Sequence, residues 1–167
     1  SYEEFKRRKE VFDNETRKMI SELQKKQQEQ KEEMERSHEL KEQNLLRNWT
    51  EGKRLRMFNR CSNQLSSMRR QHAFLLVQNR FEEAQKIGNE IDQKQNDELL
   101  NNHNEHQKAY DYAYDMLYEK NKEEVEFFEN KCAIEMAALM QKRNKERRAL
   151  ENQEKRFTQK KNEITDL

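Results

Sequence analysis

The sequence predicts an all-α fold: a long antiparallel coiled-coil hairpin with mixed 11- and 7-residue repeats, which also dimerises. Three observations carry this. Among 167 residues there is no proline and there are only two glycines, yet tight turns, β-hairpins and phosphate loops depend on those two residue types. Hydrophobic residues reach 32% and charged residues 40%, against roughly 45–50% apolar in ordinary soluble domains. The apolar residues that are present recur at helical spacing. Sandwiches, barrels, dinucleotide folds and P-loops are thereby excluded, and a compact globule of this length lacks the apolar side chains to fill it.

Low hydrophobicity with high charge is also a signature of disorder. Here the net charge is +1 and the dominant residues are Glu, Lys, Gln, Arg, Leu, Met and Ala, the good helix formers. Periodicity decides for helix. The first helix, a basic arm over 1–78, carries Phe12, Leu23, Met34 and Leu45 at intervals of 11. Towards its end the interval shortens to seven, in the rows Phe58, Leu65, His72 and Cys61, Met68, Leu75. A turn follows at 79–81, with Asn79 as N-cap of the next helix and Glu82 completing a capping box. The second helix, 82–165, is an acidic arm with a basic C-terminal end. It carries Leu117, Phe128, Leu139 and Leu150 at intervals of 11, then Leu150, Phe157 and Ile164 at seven. An 11-residue period is 3.67 residues per turn, which keeps a stripe on one side of a nearly straight helix.

In a hairpin, facing residues have numbers with a constant sum. Leu45 with Leu117, Met34 with Phe128, Leu23 with Leu139, Phe12 with Leu150 and Phe5 with Phe157 all add to 162, whose half falls at the turn. Charge agrees. Residues 1–80 hold 19 basic and 13 acidic groups, whereas 81–167 hold 15 and 20. Folding one onto the other relieves the self-repulsion of each and selects register, although single exposed pairs contribute only about 0–1 kcal/mol. The expectation is one elongated domain with arms of ~115 Å at ~1.5 Å per residue; a continuous parallel rod is the rival. Because the chain starts at Ser1, it reads as a piece of a longer protein.

Several surfaces exceed what one partner helix can cover. Cys132–Met140 is apolar nearly all round, while the facing 22–30 holds a single apolar residue, Leu23. That mismatch marks Ile134, Met136, Ala137 and Met140 as a self-association surface. Tyr110, Tyr114 and Leu117 fall on the stripe, facing Trp49 and Leu45. Tyr112, Tyr118 and Phe127 fall off it and are candidate docking anchors. The apolar run Ala73–Val77 is expected to pack locally on Phe81 and Ile87, with an end-to-end contact as a second reading. Lys142, Arg143, Arg147, Arg148, Lys155 and Arg156 make a basic end that could meet anionic membrane or acidic protein tails; nucleic acid is a weaker fit, and a solvated helix surface is the bland reading.

Chemistry is sparse. Cys61 and Cys132 are out of register with each other and read as buried thiols in a reducing compartment. His103 and His106 have an i, i+3 spacing that can ligate metal, but no third ligand accompanies them, so a polar layer that fixes register is the reading. Asn48-Trp49-Thr50 matches a glycosylation sequon on a helix expected to be intracellular. Gly52 and Gly88 lie within the expected helices, as bends or close approaches. No catalytic residue, cofactor site or metal site is expected, and no apolar run approaches the ~20 residues that span a bilayer.

The segment Phe81-Glu82-Glu83-Ala84-x-x-Ile87-x-x-x-Ile91 resembles the short UVR-type helical hairpin of UvrB/UvrC proteins over about a dozen residues. The chain as a whole is similar to coiled-coil segments of eukaryotic cytoskeletal, centriolar and ciliary proteins. That resemblance implies a non-enzymatic scaffold in the cytoplasm, self-associating or docking a cytoskeletal protein. The alternative is a BAR-like helical module on anionic membrane.

Overall fold

A computed structural model describes residues 1–52, 56 and 60–165. Among these residues three helices follow one another: α1 (Tyr2–Thr50), α2 (Asn63–Val77) and α3 (Phe81–Thr165). The expected single helix over 1–78 is therefore corrected: among the described residues α1 ends at Thr50 and α2 begins at Asn63. Phe58 of the seven-residue row lies outside the described residues.

The helix ends follow from local chemistry. The Glu4 N–H donates to Ser1 Oγ at 3.4 Å, while Glu3 and Glu4 put negative charge in the first turn and Arg47 positive charge in the last, as the helix dipole favours. At the far end Thr50 Oγ1 donates to the Leu46 carbonyl at 2.8 Å, and Gly52 takes φ +85. That left-handed backbone is open to glycine and terminates helices. Gly52 is thus a stop signal and not a residue of a helix interior. Ser62 restarts the chain: it is extended, and its hydroxyl accepts from the Leu65 N–H at 3.0 Å.

The second turn also corrects the sequence reading. Asn79 has φ 60, whereas an N-cap sits in the extended region. The Asn79 N–H donates to the Leu76 carbonyl at 3.1 Å, and the Arg80 N–H to the Leu75 carbonyl at 3.0 Å. This is the paired closure of a helix C-terminus around a left-handed residue. Asn79 ends α2; it does not cap α3. Its expected capping-box partner, Glu82, simply shares the acidic first turn of α3 with Glu83. There the Arg80 guanidinium donates to Glu83 at 2.7 Å.

The chain divides into two compact units, Ser1–Ser37 with Asn121–Leu167 and His38–Lys120. Within the first, α1 and α3 run antiparallel. Phe5 meets Phe157 with ring centroids 5.6 Å apart, Lys9 pairs with Glu154, Asp13 with Arg147, and Gln27 reaches the Cys132 carbonyl. Residue numbers rise on one helix as they fall on the other, and Phe5–Phe157 holds the expected sum of 162. Leu23 and Leu139 line one groove, and Phe12 and Leu150 another.

The second unit is also antiparallel. Trp49 packs edge-on against His106 and Tyr110, at 5.5 and 6.3 Å, and Asn102 donates to the Arg60 carbonyl at 3.5 Å. Trp49, Leu65, Leu75, Ala84 and Ile91 are its buried apolar residues. A methyl group on Gly88 would lie 3.3 Å from His72 Nε2, so this glycine admits the side chain of α2 against α3.

Candidate interaction surfaces

Burial along both helices of the first unit repeats every 11 residues; two rows run on both helices, and α3 carries two more, at Glu124, Glu135, Glu146 and at Val125, Met136, Arg147. The apolar row was legible: Phe12, Leu23 and Met34 on α1, and Phe128, Leu139 and Leu150 on α3, are half-buried. A second row runs beside it at Phe5, Thr16 and Gln27 on α1 and at Asn121, Cys132, Arg143 and Glu154 on α3. Most of its members are polar. Sequence reasoning passed over it because a search for apolar stripes discards Thr, Gln, Asn and Arg.

Arg143 is the most developed of these polar contacts. It is buried; its Nε donates to Thr16 Oγ1 at 2.8 Å and its Nη2 to the Phe12 carbonyl at 3.2 Å. Glu146 accepts from Nη1 at 2.9 Å, and the guanidinium lies 3.8 Å over the Phe12 ring. A buried charge is tolerated when its donors are used in this way. One turn on, Arg147 holds both Asp13 oxygens at 3.0 and 3.1 Å and pairs with Glu151. Hydrogen bonding from Arg147 is the main reason that the Asp13 carboxyl lies below its usual 3.8. Deeper along the pair, Gln27 Nε2 donates to the Cys132 carbonyl at 3.0 Å. Asn121 is buried with neither side-chain Nδ2 nor Oδ1 hydrogen-bonded among the described residues.

These contacts alter the expected basic end. Arg143 and Arg147 serve the helix pair, which leaves Lys142, Arg148, Lys155 and Arg156 exposed. The cysteines are both free, and only one matches the expected burial. Cys132 is half-buried, with its thiol pushed up by burial and by the nearby Glu135 carboxylate. Cys61 is exposed, 3.6 Å from an Arg69 nitrogen. His106 makes a polar layer in the second unit: its Nε2 donates to the Trp49 carbonyl at 2.8 Å, one of the orphan carbonyls that close α1. His103 is exposed. Among the described residues no three His, Cys, Asp or Glu side chains gather as metal ligands, and no helix is long and apolar enough to cross a membrane.

Of the residues marked for self-association, Ile134, Ala137 and Met140 are exposed and Met136 is half-buried. Phe127, seven residues before Ile134, is exposed on the same side of α3, away from the half-buried Phe128, Cys132 and Leu139. In the second unit Tyr110 is half-buried against Trp49, while Tyr112 and Tyr118 are exposed and Tyr114 is partly so. The expected packing of the turn is not found: Phe74, Leu76, Val77 and Phe81 are exposed, and only Leu75 of that run is buried.

No family model matches this sequence, and no match is found among curated proteins or solved structures.

Proposed function

We propose that this chain is a non-enzymatic coiled-coil scaffold in the cytoplasm. On this reading it is an antiparallel helical hairpin that self-associates through the outer face of α3 and docks a protein partner. The resemblance to cytoskeletal, centriolar and ciliary coiled coils suggests the partner's kind. The observation that carries the reading is the double 11-residue row of the first unit. An apolar row supplies association, and a polar row holding Arg143 and Gln27 penalises other registers, since a shift by one contact strands buried donors. Ile134 and Phe127, exposed on the opposite side, are the surplus that a second copy would cover.

A BAR-like module on anionic membrane draws less support, because two of its six expected cations are engaged within the helix pair. Light scattering on the wild-type chain and on Ile134→Glu/Met140→Glu tests self-association. A multimeric mass that falls towards monomer in the variant supports it, and an unchanged mass removes it. Co-sedimentation with microtubules or with anionic liposomes separates the two readings: pelleting with lipid alone favours the membrane.

A further inference from the structure

The α2–α3 turn carries an apolar surface that its own unit leaves open. Phe74 is 59% exposed, Leu76 43%, Val77 81% and Phe81 62%, around a Leu75 that is 5% exposed. The turn is closed by backbone hydrogen bonds from the Asn79 N–H to the Leu76 carbonyl and from the Arg80 N–H to the Leu75 carbonyl, which hold the last turn of α2 next to the first of α3. Leu76 lies on the other flank of α2; with aromatic side chains offering about 150–250 Å² each, Phe74, Val77 and Phe81 leave roughly 350 Å² of apolar surface. That lies in the range of ~300–600 Å² for the largest patch on a monomer, which is often functional.

Charge selects the occupant. Residues 63–80 hold Arg69, Arg70 and Arg80 and no acidic residue, whereas α3 opens with Glu82 and Glu83. Arg80 and Glu83 pair with each other. Arg70 and Glu82 are exposed and make no ion pair among the described residues. Arg70, Phe74 and Val77 share one row of α2 at i, i+4 and i+7, and Phe81 with Glu82 begins α3. The patch thus has an apolar centre flanked by an unpaired cation and an unpaired anion. An anionic lipid surface would repel Glu82 and Glu83, and a partner of one sign would meet one flank wrongly. A second copy meets neither objection, because a two-fold axis makes any patch face itself reversed.

We infer that the α2–α3 turn is a homotypic docking surface. Phe74, Val77 and Phe81 of two copies pack about a two-fold axis, and Arg70 of each copy pairs with Glu82 of the other. Two patches bury roughly 700 Å² of apolar surface, which with a polar rim reaches only the low end of specific interfaces near about 1,000–1,200 Å². The contact is therefore weak and reversible. It is separate from the Ile134 face, and a chain with two distinct self-complementary patches extends into an open array instead of stopping at a dimer.

Sedimentation velocity over a concentration series tests this, using the 167-residue chain carrying Ile134→Glu/Met140→Glu. That background should still dimerise weakly. Val77→Glu should raise the dimer dissociation constant about tenfold or more. Arg70→Glu and Glu82→Arg should each weaken the dimer, and the two together should restore it to within about threefold. All three positions are exposed, so helicity by circular dichroism should not change. No concentration dependence in the background, no effect of Val77→Glu, or no recovery in the charge swap overturns the proposal. So does binding to phosphatidylserine vesicles that Val77→Glu abolishes and Glu82→Arg strengthens. Should the Ile134 face not be an interface, the background will match wild type while Val77→Glu still acts, so the two claims fail separately.

Discussion

The guanidinium of Arg143 lies 3.8 Å over the ring of Phe12 and donates to the Phe12 carbonyl at 3.2 Å, so one α1 residue meets Arg143 with both its side chain and its backbone. Arg143→Ala should destabilise the fold by about 2–3 kcal/mol, the scale for losing charged hydrogen bonds in a buried site. Arg143→Met keeps the stem packing and should stay within about 1 kcal/mol of wild type. Arg148→Ala, on the exposed face, should change stability by no more than about 0.5 kcal/mol. Urea unfolding followed by circular dichroism measures all three; equal effects of Arg143→Ala and Arg148→Ala would remove the buried role.

Asp13 should titrate low. Its folded carboxyl lies below 3.8 because Arg147 donates to the charged form, so folding favours the deprotonated group. The stabilising contribution is then fully present above the unfolded value and is lost as pH falls through the depressed folded value. In an NMR titration the Asp13 carboxyl should show a midpoint below 3.8, and Arg147→Gln should bring it back up. A normal midpoint in the wild-type chain would mean that the pair does not persist in solution.

Much of this arrangement is legible in the sequence, and what is not has physical reasons. An 11-residue apolar period can be seen because nothing else places Phe12, Leu23 and Met34 at that spacing, and it carries the register as far as Phe5 on Phe157. The same period in Thr16, Gln27, Cys132 and Arg143 is silent, since polar residues occupy most exposed positions too and only burial separates them. Arg143 and Arg148 are the same residue type five positions apart, one buried and one exposed, and net charge counts them alike. Asn79 was ambiguous for a different reason. Asparagine is favoured both as an N-cap and in the left-handed position after a helix, and only the carbonyls of Leu75 and Leu76 decide between them. The end of α1 has its own signal in the sequence: Gly52 and Ser62 are a stop and a start ten residues apart.

The role of Asn79 makes a substitution test. At a left-handed position Asn79→Gly should be neutral or stabilising by up to about 1 kcal/mol, whereas Asn79→Ala should cost about 1 kcal/mol or more. Were Asn79 an N-cap, Asn79→Asp would be the best tolerated change and Gly would be slightly worse than Asn. Thermal unfolding of the three variants ranks them directly.

Asn121 offers a stabilising change. Its buried amide makes no hydrogen bond among the described residues, so Asn121→Leu removes a desolvation penalty of about 1–3 kcal/mol. A gain of this size should raise the melting temperature by several degrees, at about 2–4 °C per kcal/mol for a chain of this length. A lower melting temperature would show that the amide is satisfied in solution.

The central claim is that the N-terminal stretch of α1 and the C-terminal stretch of α3 pair antiparallel in the register of Leu23 with Leu139. Spin labels at the exposed Glu22 and Gln141, in a Cys61→Ser/Cys132→Ser chain diluted with unlabelled protein, report that distance within one molecule. Helix axes in contact lie about 8–10 Å apart, so the account predicts a label separation under about 25 Å that persists on dilution. A separation above ~100 Å, which a continuous helix rising 1.5 Å per residue between these positions would give, would contradict it.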